Sequence, residues 1–144
     1  MLRLAPLWAL LVAGCAARPL SPPTAAVVVT TLDVDFPSRE RGFLRFGLRL
    51  PPGTPPVAQV SWELFLDGVR FAAGLDGDVG QGPSEVKVET PLVCRHLAWR
   101  EGEAPLDVAV RGEVDVGIPG GRLPFRERRE VPVHGRPLLN IPLD

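Results

Sequence analysis

The chain has 144 residues, a formal net charge of −1 and a sequence pI near 6.1. That balance argues against a nucleic-acid-binding protein, which needs a clustered basic surface. All basic residues but Lys87 are Arg, and the two cysteines, Cys15 and Cys94, are too few for a disulfide framework.

The first fifteen residues fall into three zones: a basic start at Arg3, an apolar stretch from Leu4 to Ala13, and small residues before Cys15. This is the layout of a secretory signal. An apolar stretch of about ten residues rises only about 15 Å as a helix, and a bilayer core needs about twenty residues to span it. A permanent transmembrane helix is therefore not expected. Val12-Ala13-Gly14-Cys15 resembles the lipobox of bacterial lipoprotein precursors. The resemblance implies diacylglyceryl on the Cys15 thiol and cleavage after Gly14. The alternative is an ordinary signal peptide with a chance cysteine, cut nearby. Residues 16–25 include Arg18-Pro19-Leu20-Ser21-Pro22-Pro23-Thr24, which opposes a helix and favours an extended path, as a tether would. Ala16 after the cysteine resembles an outer-membrane sorting signal of some Gram-negative bacteria. The expected organisation is a signal peptide over 1–14, a lipidated Cys15 with a Pro-rich tether over 15–25, and one domain over 26–144. With Cys15 consumed by lipid, Cys94 has no partner in the chain.

Period-two alternation bounded by Gly and Pro dominates the domain, so the chain is all-β. Val28, Thr30, Leu32, Val34 and Phe36 are predicted on the inner face of the first strand. Leu44, Phe46, Leu48 and Leu50 form the inner face of the second, with Arg45 and Arg49 outside. Val60, Trp62, Leu64 and Leu66 follow, ending at Asp67-Gly68, a dipeptide suited to the positive φ angles of a two-residue hairpin. Val69 and Phe71 begin the return strand. After a Gly-rich loop over 74–83, Val86, Val88 and Thr90 alternate with Glu85, Lys87 and Glu89. Residues 92–99 are the one segment where a helical turn is expected. A long strand runs from Leu106 to Val116, another lies near Val131 and Val133, and a short edge piece lies around Leu139 and Ile141. About seven strands with one apolar face each imply two antiparallel sheets packed face to face, an immunoglobulin- or fibronectin-III-like sandwich without the paired core cysteines. A closed barrel is the alternative.

The order of motifs resembles the late-embryogenesis-abundant type 2, or water-stress and hypersensitive-response (WHy), domain over roughly residues 27–133. The matching pieces are Phe43 to Leu50 ending in a Pro-containing turn, Val60-Ser61-Trp62-Glu63-Leu64-Phe65-Leu66-Asp67-Gly68, Ala73-Gly74, Ser84 to Pro91, and Val108-Ala109-Val110-Arg111-Gly112-Glu113-Val114. Where the family typically has Asn-Pro-Asn after the second strand, this chain has Leu50-Pro51-Pro52-Gly53-Thr54-Pro55-Pro56. The resemblance implies a β-sandwich associated with dehydration and stress, without a catalytic activity and without a cofactor.

The chemistry-bearing residues form no familiar constellation. Cys94 and His96 share a strand face by spacing and supply two metal ligands at most. Asp76-Gly77-Asp78 is similar to the start of a calcium loop but lacks the closing Glu. Ser84, Glu85 and the two histidines lack a nucleophile elbow. Arg126, Arg128 and Arg129, interleaved with Glu127 and Glu130, are a candidate surface for anionic headgroups. Trp62 belongs to the core by register, whereas Trp99 is either core or a sugar-stacking platform. An exposed sheet edge is a further route to another envelope protein. The expected function is a non-catalytic, membrane-anchored envelope lipoprotein, facing the periplasm from the outer membrane, that acts as an interaction or stress-protection module. A sugar- or lipid-binding lipoprotein is the alternative.

Overall fold

A computed structural model describes residues 26–142 apart from 78, 79, 83, 96 and 120, with the backbone alone for 80–82 and 140–142. The expected signal peptide, Cys15, the tether, His96 and Asp78 lie outside the described residues. The strands are β1 (Val28–Asp35), β2 (Arg41–Arg49), β3 (Gln59–Leu66), β4 (Val69–Asp76), β5 (Gly80–Gly82), β6 (Glu85–Val93), β7 (Leu97–Asp115) and β8 (Arg122–Pro142). Seven have eight residues or more, and β5 is a three-residue addition. They form two antiparallel four-stranded sheets, in the orders β1-β2-β6-β5 and β4-β3-β7-β8. Lettered A, B, C, C′, D, E, F and G in chain order, these are the ABED and C′CFG sheets of an immunoglobulin-type sandwich. Two separate sheets, rather than one continuous ladder, replace the barrel alternative.

Apolar residues at alternate positions fill the space between the sheets. Leu44, Phe46 and Leu48 of β2 and Val86 and Val88 of β6 face Val60, Trp62, Leu64 and Leu66 of β3 and Val108, Val110 and Val114 of β7, all buried. The Phe46 and Phe125 rings meet across the sandwich with centroids 5.6 Å apart. Opposite charges are laddered on the outer face of the first sheet, where Arg45 reaches Glu89 at 3.5 Å and Asp33 at 3.9 Å. The Asp67-Gly68 hairpin is of the expected kind, with φ of 47° and 80°.

Three expectations about elements are corrected. A β-bulge between Val29 and Thr31 shifts the face of β1, so Val28 is 50% exposed and Val29, not Val28, is buried. Residues 92–99 contain no helical turn among the described residues: Leu92 and Val93 end β6, and Leu97–Trp99 begin β7. Finally, β7 and β8 are far longer than the sequence suggested. Their paired stretch runs from the Asp115–Arg122 pair to the Leu97–Pro142 pair, so the short edge piece expected near Leu139 is part of β8. Beyond Leu66 the two strands leave β3 and continue as a two-stranded arm, with a register shift between Glu101 and Ala104. The arm packs against the β1–β2 turn, where Trp99 meets Phe36 edge-on at 5.9 Å and Arg39 bonds Glu101 at 2.7 Å.

Candidate functional site

The outer face of the second sheet carries the densest set of arginines. On β3, Ser61, Glu63 and Phe65 point away from the core because Val60, Trp62, Leu64 and Leu66 point into it. Arg111 of β7 lies opposite Glu63, and Arg126 of β8 lies opposite Arg111, so the three form one row across the sheet. Glu63 is shared between Arg111 at 3.3 Å and Arg70 of β4 at 3.0 Å. The Arg111 guanidinium also sits 4.8 Å from the Phe65 ring centre, a cation–π contact. Arg126 has no ion pair or hydrogen bond among the described residues. Like charges directly opposite on neighbouring strands repel, so the Arg111–Arg126 pair is a place where an external anion is favourable. Two shallow grooves of about 540 and 490 Å³ meet at this pair. Gly112 and Pro124 border one, Phe65 and Ala109 the other.

Arg126, Arg128 and Arg129 do not act as one patch. Arg128 is also on the outer face, but its Nε donates to Asp107 Oδ1 at 2.8 Å and its Nη2 to Asp107 Oδ2. This hydrogen-bonded carboxylate holds the guanidinium even more firmly protonated than usual. Arg129 alternates to the other side of β8 and reaches the first sheet, donating to the carbonyls of Val29 at 3.0 Å and Thr30 at 3.4 Å. It caps backbone acceptors of the edge strand β1 and ties the two sheets at one edge. Arg111, which composition and spacing did not single out, takes its place beside Arg126. The signal for it lies in pairing across strands, which periodicity along one strand cannot supply.

Trp99 is partly covered. Its ring lies against Gly135, where an added Cβ would approach it to 2.7 Å, and meets Phe36 as described. It borders a cleft of about 780 Å³ with Arg39, Glu40, Arg95 and Cys94. The Cys94 side chain is buried, and burial pushes its thiol up to about 11. A protonated thiol is a weak nucleophile and a weak ligand.

The other candidates are dispersed. Asp76 accepts the indole N–H of Trp62. Among the described residues no group of three His, Cys, Asp or Glu is placed to hold a metal ion. His134 pairs with Glu103 at 3.0 Å on the arm, whereas Ser84 lies at the opposite end of the sandwich, where its carbonyl accepts from Leu50 N–H. A role outside sequence reach belongs to Asp67. Its carboxylate accepts from Asp107 N–H at 3.1 Å and from Arg136 Nη1 at 2.8 Å, locking the β3–β4 turn to β7 and β8.

No known family model matches the chain, and no curated protein matches it. Among solved structures, a β-glucuronidase of Parabacteroides merdae is similar at a TM-score of 0.46 and 15% identity. The match covers 73% of this chain but only 13% of the enzyme. A likeness at that level carries no inference about chemistry.

Proposed function

We propose that the chain is a membrane-anchored envelope lipoprotein, lipidated on Cys15, whose sandwich is a non-catalytic interaction module that recognises an acidic partner on the outer face of β3, β7 and β8. The observation that carries this reading is the side-by-side pair Arg111 and Arg126, with Phe65 beneath Arg111 and Arg126 lacking a partner among the described residues. Arginine forks bind carboxylate and phosphate in bidentate fashion, and an adjoining aromatic ring adds apolar contact. A stress-protection role, drawn from the WHy resemblance, fits a module that holds another envelope component rather than transforming it. The alternative sugar- or lipid-binding role would place its ligand at Trp99, whose ring is already packed against Phe36 and Gly135.

Crosslinking in the native envelope tests the proposal. The lipidated protein carrying a photoreactive side chain at Ala109, opposite Phe65 and in the groove that Arg111 and Arg126 border, is expected to capture a defined partner. Capture should fall with added salt and be lost in Arg126→Glu, which reverses an exposed charge without disturbing the core. Equal capture by wild type and Arg126→Glu would remove the role assigned to this face.

A further inference from the structure

We infer that the end of the sandwich from which the N-terminus emerges is a membrane-facing surface that lies on the bilayer interface, with Ile118 at its tip. This deepens the proposed function and rests on its lipidation of Cys15. The antiparallel order fixes which segments share that end. β1 begins there at Val28, beside Arg49 at the end of β2. The connection 50–58 crosses between the sheets at the same end, with Leu50 N–H bonded to Ser84 O and Ala58 N–H bonded to Asp115 O. The β7–β8 turn over 116–121 closes there as well, since Asp115 pairs with Arg122.

Composition separates this end from the other. Residues 26–32, 50–58 and 116–121 contain no charged residue, so charge at this end is confined to the strand ends and to Asp76 and Asp78 around the β4–β5 connection. The opposite end carries Arg39 and Glu40 in the β1–β2 turn, Asp67 in the β3–β4 turn and Arg95 between β6 and β7. Three of the large apolar residues left exposed, Val28, Leu75 and Ile118, are at the N-terminal end, at 50%, 67% and 54% exposure; Val93 is at the other. Ile118 is the telling one. It stands in a tight turn of Gly and Pro residues, where an apolar side chain contributes nothing to the core and a polar one would be usual. Flanking these segments, Arg49, Glu85 and Arg122 are exposed at the strand ends. Three uncharged segments, with charge held to the strand ends and to the β4–β5 connection, match the profile of a bilayer interface, where charge is costly at acyl depth and favourable among headgroups.

The bilayer is the occupant because of where the chain enters. Residues 16–25 separate Cys15 from the domain, and a Pro-rich stretch of that length reaches on the order of 30 Å. A lipid on Cys15 therefore puts the point of attachment at this end and brings it, before the opposite one, to the membrane surface.

The test uses the full lipidated chain in phosphatidylethanolamine and phosphatidylglycerol vesicles, labelled with an environment-sensitive fluorophore at Ile118→Cys or, as a control, Val93→Cys. Both positions are exposed and both substitutions leave the core intact, while Cys94 is buried. Intact mass first establishes whether Cys15 carries lipid; without lipid, the anchoring reading itself fails. With lipid present, the 118 label is expected to emit further to the blue in vesicles and to lose several-fold of its quenching by iodide, and the 93 label to do neither. Labels equally wet at both positions would overturn the inference. So would a shift at 118 that grows with protein density on the vesicle, which would assign this end to a second copy of the chain.

Discussion

Cys94 shows how burial disarms a reactive group. Its thiol sits beside the end of β6, 1% exposed, with a pKa raised from 9.0 to about 11 by desolvation. A raised acid pKa means that the folded chain holds its proton more tightly than the unfolded chain does. The associated stability is complete below about pH 9 and is lost as pH rises toward 11. Native protein at pH 8 should therefore react with a thiol reagent only slowly, and denaturant should release full reactivity; rapid native labelling would contradict the placement. Arg129 is the second informative residue, because its guanidinium serves the backbone of β1. Arg129→Ala leaves the Val29 carbonyl without this donor and should cost about 1–2 kcal/mol, read as a lowered urea midpoint with an unchanged slope. The partner-capture experiment, by contrast, should be nearly indifferent to Arg129 and sensitive to Arg126.

At the scale of elements, the closest constraint lies between β3 and β7. Gly112 packs so tightly against β3 that a Cβ would stand 1.9 Å from the Ser61 carbonyl oxygen. Because that neighbour is backbone, the strands must part, and Gly112→Ala should lose about 2–3 kcal/mol or more, measured by thermal unfolding. The strands themselves were legible where one face is buried and the other wet. The patterns of β3 and β6 follow their alternation residue by residue, and that of β2 does so except at Gly47, which is buried between Phe46 and Leu48. The pattern misled where that condition fails. In β1 a bulge changes which residues face inward after only two positions. In the arm, Arg100, Glu101, Gly102 and Glu103 are all exposed, so no apolar period marks them as strand. The Arg126–Glu130 stretch read as one charged cluster, whereas strand geometry sends Arg126 and Arg128 outward and Arg129 to the first sheet. Arg111 was missed for the converse reason: its significance comes from a neighbour fifteen residues away, brought alongside by the β7–β8 pairing.

The whole molecule is a sandwich with two differentiated ends and one charged flank. Its apolar core is continuous across both sheets, from Leu44 and Phe46 to Val108 and Phe125. Three of the segments that cap the N-terminal end, 26–32, 50–58 and 116–121, are uncharged, and the arm and the turns that carry Arg39, Glu40, Asp67 and Arg95 occupy the far end. In the proposed arrangement the tether enters at the end that faces the bilayer, and the Arg111–Arg126 row stands on the side of the domain, open to components of the same envelope. Every functional element of this arrangement depends on the anchor, because an unanchored domain would have no preferred orientation and no restricted set of partners. Intact mass spectrometry of the mature chain, purified from the membranes of a bacterium expressing the full precursor, tests that anchor most directly. The account predicts a chain beginning at Cys15 and carrying the added mass of a diacylglyceryl group, and loss of that species in Cys15→Ser. An unmodified chain, cut elsewhere and recovered from the soluble fraction, would contradict it.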